Sequence, residues 1–190
     1  MTSNDGAGPS PVAQPGPTSA AKFVGLEAKY ADQVDNMTMQ EKAQVGLPYL
    51  GTDPDLIKDR IRVRNLCRKY NNLPSGPTLE DEEDANDLTN VERRKVLKEI
   101  FQVSSEAAVK RIFVEPPFWC DYGYNIKLEG DFFCNFNTTI LDDAEVRIGH
   151  GVLLGPNVHI YAATHSISVA EREEGYERAL PVAIGRNSWM

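Results

Sequence analysis

Aliphatic residues fall at every sixth position of one stretch: Ile148 in Ile148-Gly149-His150-Gly151-Val152-Leu153, Leu154 in the six after it, and Ile160 in the six after that. A six-residue period is too short for a pair of helices and too regular for loops. It fits one face of a triangular parallel β-helix, in which three such faces make a coil and each aliphatic residue points into the core. The register runs back through Leu128, Cys134, Ile140 and Val146, slips by two residues before Ile148, and restarts at Ile184-Gly185-Arg186-Asn187-Ser188-Trp189. The repeat is interrupted between 165 and 184. An irregular insertion on a stiff wall is where function is expected.

The rest of the chain is more mixed. Residues 1–35 read as a disordered arm: Met1 to Ala21 holds four Pro, three Gly and three Ser with almost no charge, too little apolar surface to offset chain entropy. That segment lacks the basic start and apolar stretch of a signal peptide and the arginines of a transit sequence, and no run reaches membrane-spanning length. Twenty Lys plus Arg against 28 Asp plus Glu give a net charge of -8, which argues against nucleic acid as a partner. Cys67, Cys120 and Cys134 are odd in number and lack metal-type spacing, so buried free thiols in a reducing cytoplasm are expected.

Helical signals occupy residues 36–110. Thr38 with Glu41 forms a capping box, and Thr52-Asp53-Pro54 sets Asp53 as an N-cap with Pro54 at the first helical position. Leu56, Ile57, Ile61, Leu66 and Tyr70 then recur at helical spacing, with Arg60, Arg62, Arg64 and Arg68 on other faces. Asn71 to Pro77 stops that helix, the acidic run Glu80 to Asp84 decorates a loop or a helix start, and a third helix is expected from about Asn90 to Phe101. Pro116-Pro117 then gives way to β-type sequence, so a small helical module leads into a repeat domain spanning 111–190.

Three histidines are present, His150, His159 and His165. With 18 residues to a coil they stand on different faces, so they do not converge on zinc within one subunit, and no metal is expected. His165 differs from the others because it ends the regular face and opens the polar insertion 166–180, rich in Glu and Arg. An imidazole at the root of a loop on a rigid scaffold suits a general base, since its unperturbed pKa lies near neutrality.

Phe118 to Ile126, Asn135 to Asp142, Gly155-Pro156-Asn157-Val158 and Ala163-Thr164-His165 together resemble the maltose/galactoside O-acetyltransferase family. The stretch from Met39-Gln40-Glu41-Lys42 to Tyr70-Asn71 is similar to that family's N-terminal module. The resemblance implies a left-handed parallel β-helix; the hand comes from the resemblance alone, because parallel crossovers are ordinarily right-handed. It also implies acetyl-CoA-dependent transfer to a sugar hydroxyl without a covalent enzyme intermediate. His165 matches the catalytic base. Asn135, Asp121, Asp143 and Arg60 match acceptor-site positions, and Trp189 matches an aromatic near the thioester end of the pantetheine. A homotrimer is implied, with the coenzyme lying between adjacent β-helices.

Two departures accompany the match. The family usually carries an acidic residue one or two places after the tyrosine corresponding to Tyr49, where this chain has Leu50 and Gly51. The chain also ends at Trp189-Met190, where the family continues with further coils, so an incomplete β-helix is expected, short of much of the donor site. The alternative function is a catalytically silent β-helix fragment that acts in binding or assembly.

Overall fold

A computed structural model describes residues 19–74 and 91–190; the acidic run 80–84, residue 90 and the first part of the N-terminal arm lie outside the described residues. From the N-terminal side, α1 (Ser19–Tyr30), a 3-10 turn (Val34–Asn36), α2 (Met39–Gln44) and β1 (Tyr49–Leu50) lead to α3 (Pro54–Asn72). α4 (Val91–Phe101) and α5 (Glu106–Val109) come next. The strands β2 (Ile112–Val114), β3 (Phe118–Cys120), β4 (Ile126–Leu128), β5 (Phe132–Cys134), β6 (Thr138–Leu141), β7 (Val146–Ile148), β8 (Val152–Leu154) and β9 (His159–Tyr161) then wind the coil. β10 (Ala163–His165), α6 (Val169–Glu173) and β11 (Tyr176–Ala179) interrupt it before β12 (Val182–Ile184) resumes it.

Three parallel sheets form the faces of a prism. They are β2-β5-β8, β3-β6-β9 and β4-β7-β12, so strands stack on those of the preceding coil rather than on their sequence neighbours. The strands are short, and in β2 to β8 the first and third residues point inward, with Ile126, Phe132, Cys134, Ile140, Val146, Ile148, Val152 and Leu154 all buried, whereas β9 turns in only its middle residue, Ile160. Burying each large aliphatic side chain contributes about 1.5–3 kcal/mol, and repetition makes the prism the main store of stability.

The coil is longer than the bare hexapeptide period implies. Ile112, Phe132 and Val152 are register partners, as are Ile126 and Val146, which sets a spacing of 20 residues rather than 18. The two extra residues sit at one corner, in the turns 121–125 and 142–145, so the slip precedes Val146. It escaped the period count because Val146 and Ile148, at the two ends of β7, are both inward.

The capping signals are realised. Thr38 and Glu41 bond reciprocally at the start of α2, and Asp53 accepts from the amides of Asp55 at 3.0 Å and Leu56 at 3.3 Å. α3 buries Leu56, Val63, Cys67 and Tyr70 and packs on α4 and β3. The first coil has no coil beneath it, so its backbone groups need other partners. α3 supplies them: the Tyr70 hydroxyl donates to the Val114 carbonyl, and the Asn71 amide both accepts from Phe118 N (2.9 Å) and donates to Phe118 O (3.0 Å).

Of the arm expected to be disordered over 1–35, residues 19–35 carry α1 and the start of the 3-10 turn. The reason is a contact no local reading could foresee. Phe23 lies 5.0 Å from the Arg178 guanidinium and Glu27 lies 2.6 Å from it, tying α1 to the distant insertion. Cys67, Cys120 and Cys134 are free and buried, as the sequence suggested. Among the described residues no helix is long and apolar enough to cross a membrane.

Candidate functional site

The site begins where the coil carries its extra residues. Asp142, at the start of the second long turn, accepts backbone N–H bonds from Asp121 (3.1 Å), Tyr122 (2.9 Å) and Asn125 (3.3 Å), while Asn125 donates back to the Asp142 carbonyl at 2.6 Å. One carboxyl thus holds the turn of the coil below in shape. Burial pushes Asp142 up to about 7, against the pull of the Tyr122 amide. The turn it fixes presents Asp121 and Tyr122, and Asp143 stands next to it in the chain.

Asp143 is 4 % exposed, and burial raises its carboxyl to about 6. Its Oδ1 lies 2.9 Å from the Tyr49 hydroxyl, which is also 3.1 Å from Glu177 Oε2. Arg60 reaches the corner from α3, donating to the Tyr122 hydroxyl at 3.3 Å and to the Gly51 carbonyl. Asp121 lies 3.8 Å from Arg64, and burial raises its carboxyl while Arg64 and Arg60 pull it back. Asp121, Asp143 and Arg60 therefore converge on one corner. Tyr49 and Glu177 join them although neither was among the sequence candidates.

The interrupting segment 162–181 leaves the prism at the same corner, one coil further on. Its two strands extend β1 into an antiparallel sheet of order β1-β11-β10, in which Tyr49 opposes Glu177 and Glu177 opposes His165. Directly opposed residues project to the same face, so Tyr49, Glu177 and His165 form one cross-strand row. His165 is exposed. The segment is anchored by Arg178, which bonds Glu171 at 2.7 Å and Glu27 at 2.6 Å. Beside it a cavity of about 660 Å³ is lined by Phe23, Tyr161, Thr164, His165, Arg178 and Val182.

Asn135 and Trp189 stand elsewhere. Asn135 occupies the turn between β5 and β6, where its Oδ1 accepts from Phe136 N at 2.8 Å, and it shares a groove of about 460 Å³ with Phe133, Leu153, Pro156 and Trp189. Trp189 is 83 % exposed and bridges Leu153 in parallel register. Within one chain the structure thus gathers Asp121, Asp143, Arg60 and the root of the His165 segment at one corner, and Asn135 with Trp189 at another. His150 is a turn residue accepting from Asp131 N at 3.2 Å, and His159 lies on the outer side of β9, 6.1 Å from the Tyr161 ring. Among the described residues no group of three or more His, Cys, Asp or Glu is placed to hold a metal ion.

Comparison with known proteins gives this geometry its class. Residues 42–103 match the maltose acetyltransferase hexapeptide capping motif, and α3 does cap the first coil. A Dictyostelium discoideum protein named as an acetyltransferase is 35% identical over 154 residues, covering 81% of this chain and 72% of its own. The galactoside O-acetyltransferase of Escherichia coli K12 is 33% identical over 82% of this chain and 68% of its own length. Among solved structures, a maltose O-acetyltransferase from Clostridium difficile 630 superposes with a TM-score of 0.67 at 38% identity, covering 80% of this chain and 73% of that one. This chain belongs to the maltose/galactoside acetyltransferase family of hexapeptide-repeat proteins, and its fold is that family's left-handed parallel β-helix with a small helical N-terminal part.

Proposed function

We propose that this chain transfers an acetyl group from acetyl-CoA to a hydroxyl of a sugar, with His165 as general base. The observation that carries the reading is the placing of an exposed imidazole in one row with Glu177 and Tyr49, above a corner built from Asp121, Asp143 and Arg60. Carboxyls and a guanidinium are groups that orient a polyhydroxyl acceptor, with the buried Tyr49 phenol behind them. His165 removes the proton of the hydroxyl whose oxygen attacks the thioester carbonyl, and the imidazolium then returns that proton to the departing thiolate. A galactoside acetyltransferase solved with coenzyme A, 25% identical with a TM-score of 0.57, supports acetyl-CoA as the donor.

Asn135 and Trp189 lie away from the His165 corner, which supports a composite site in a homotrimer. One subunit's groove, with Trp189 along the pantetheine and Asn135 toward the acceptor, faces the next subunit's corner. The three reduced thiols suit work in the cytoplasm. The test is acetyl-CoA consumption with a panel of maltose, galactosides and other sugars. The chain should turn over at least one of them, and His165→Ala should lower the rate by roughly 10²–10⁴. Equal background rates for the two proteins would reject the reading.

A further inference from the structure

The Tyr49 hydroxyl serves two carboxyls at once, Asp143 Oδ1 at 2.9 Å and Glu177 Oε2 at 3.1 Å. Burial and the two neighbouring acids hold its proton far above neutrality, so it remains a phenol with a single proton to donate. If both carboxyls were ionised, one of them would face a phenol lone pair. A further proton on one carboxyl resolves the conflict and makes a chain of carboxylic acid, phenol and carboxylate.

Geometry decides which end is neutral. Asp143 is almost fully buried and its Oδ2 has no hydrogen-bond partner, a costly state for an ionised oxygen and a milder one for the carbonyl oxygen of an acid. Burial displaces its titration in the same direction. Glu177 is only half-buried. While Asp143 keeps its proton, below its titration near 6, it donates to Tyr49 and Tyr49 donates to Glu177, so the charge rests on Glu177, the member of the chain that solvent reaches.

Residue 51 makes room for it. A Cβ built on Gly51 would stand 2.6 Å from Glu177 Oε1 and 2.8 Å from its Cδ, so the carboxylate occupies the space a side chain at 51 would need. The Gly51 carbonyl is held by Arg60, which keeps a cation at the floor of the same corner. In sequence along the sheet, Glu177 stands between Tyr49 and His165.

We propose that Glu177 is the ligand-binding carboxylate of this corner, that Tyr49 and Asp143 are positioning residues behind it, and that the ligand it selects is a polyol presenting a hydroxyl donor beside His165. This deepens, and rests on, the reading of the corner as the acceptor site. Asp143, which the resemblance marks as an acceptor contact, then acts through Tyr49 instead of touching the sugar.

The experiment measures binding of maltose and of methyl galactoside to the full chain without acetyl-CoA, by calorimetry, alongside steady-state kinetics. Glu177→Gln removes the charge, and Gly51→Ala displaces the carboxylate from the opposite strand. Both should weaken sugar binding, and raise the acceptor KM, at least tenfold, with the acetyl-CoA KM and the melting temperature unchanged. Glu173→Gln, an exposed change on α6, should do neither. Retained affinity in both Glu177→Gln and Gly51→Ala would overturn the proposal, as would a wild-type chain that binds neither sugar. A chain that binds sugar with the expected sensitivities yet transfers no acetyl group would sink the acetyltransferase reading and leave the Glu177 assignment standing.

Discussion

Asn71 makes with Phe118 the two hydrogen bonds that a neighbouring strand would otherwise make, accepting from its N–H at 2.9 Å and donating to its carbonyl at 3.0 Å. A side-chain amide has the donor and acceptor of a peptide group, so the last turn of α3 substitutes for a missing coil. Replacing Asn71 by Ala leaves both groups of Phe118 without a partner beneath β3. Urea denaturation should show a loss of about 1–3 kcal/mol. Asn72→Ala, at an exposed bond within the helix, should cost less than about 0.5 kcal/mol.

The same corner carries a pH dependence of stability. Asp143 titrates near 6 in the folded chain, above the carboxylate value of 3.8 that exposure would restore on unfolding. The folded chain therefore holds a proton that the unfolded chain gives up, so its stabilising share is complete below about pH 4 and is lost as pH rises through 6. Asp143→Asn, which cannot ionise, should match wild type near pH 4. By pH 8 it should be more stable by on the order of 3 kcal/mol in denaturant titrations. Parallel pH profiles for the two chains would refute the neutral Asp143.

Gly123 ties α4 to the corner. Its φ is +75°, and a Cβ there would run into the Ile100 carbonyl. Gly123→Ala should cost more than about 1 kcal/mol, seen as a lowered denaturation midpoint. Gly25, where a Cβ meets open space, is the matched control and should change little on substitution by Ala.

The composite trimer site we propose makes a complementation test available. His165→Ala and Asn135→Ala chains should each be weak alone, and unfolding and refolding them together should restore activity. With random assortment in a trimer, about a quarter of the sites receive an intact residue from each side. No recovery on co-refolding would place both residues in the site of one subunit.

The range of each interaction decides how much of the fold and site was readable from sequence. The hexapeptide period is local, so β5 through β8, their inward residues and the caps at Thr38 and Asp53 were legible. The extra residues at each long turn were misplaced because both ends of a three-residue strand carry inward aliphatics. α1 was missed because its anchor, Arg178, lies over 150 residues away in sequence. The proposed base, His165, stands out in the sequence by ending the repeat, whereas Tyr49 and Glu177 do not. Tyr49 reads as an ordinary β aromatic, and Glu177 as one more charge in a charged loop. Only the pairing of β1 with β11 puts them on one proton.

His165 is the base we propose takes the acceptor's proton, and the most direct test is kcat/KM for the best sugar, measured by thiol release for wild type and His165→Gln. Wild type should turn over the sugar, and His165→Gln should fall by roughly 10²–10⁴ in kcat/KM at the same pH, with the acetyl-CoA KM little changed. A His165→Gln chain that keeps the wild-type rate would show that another group does the chemistry.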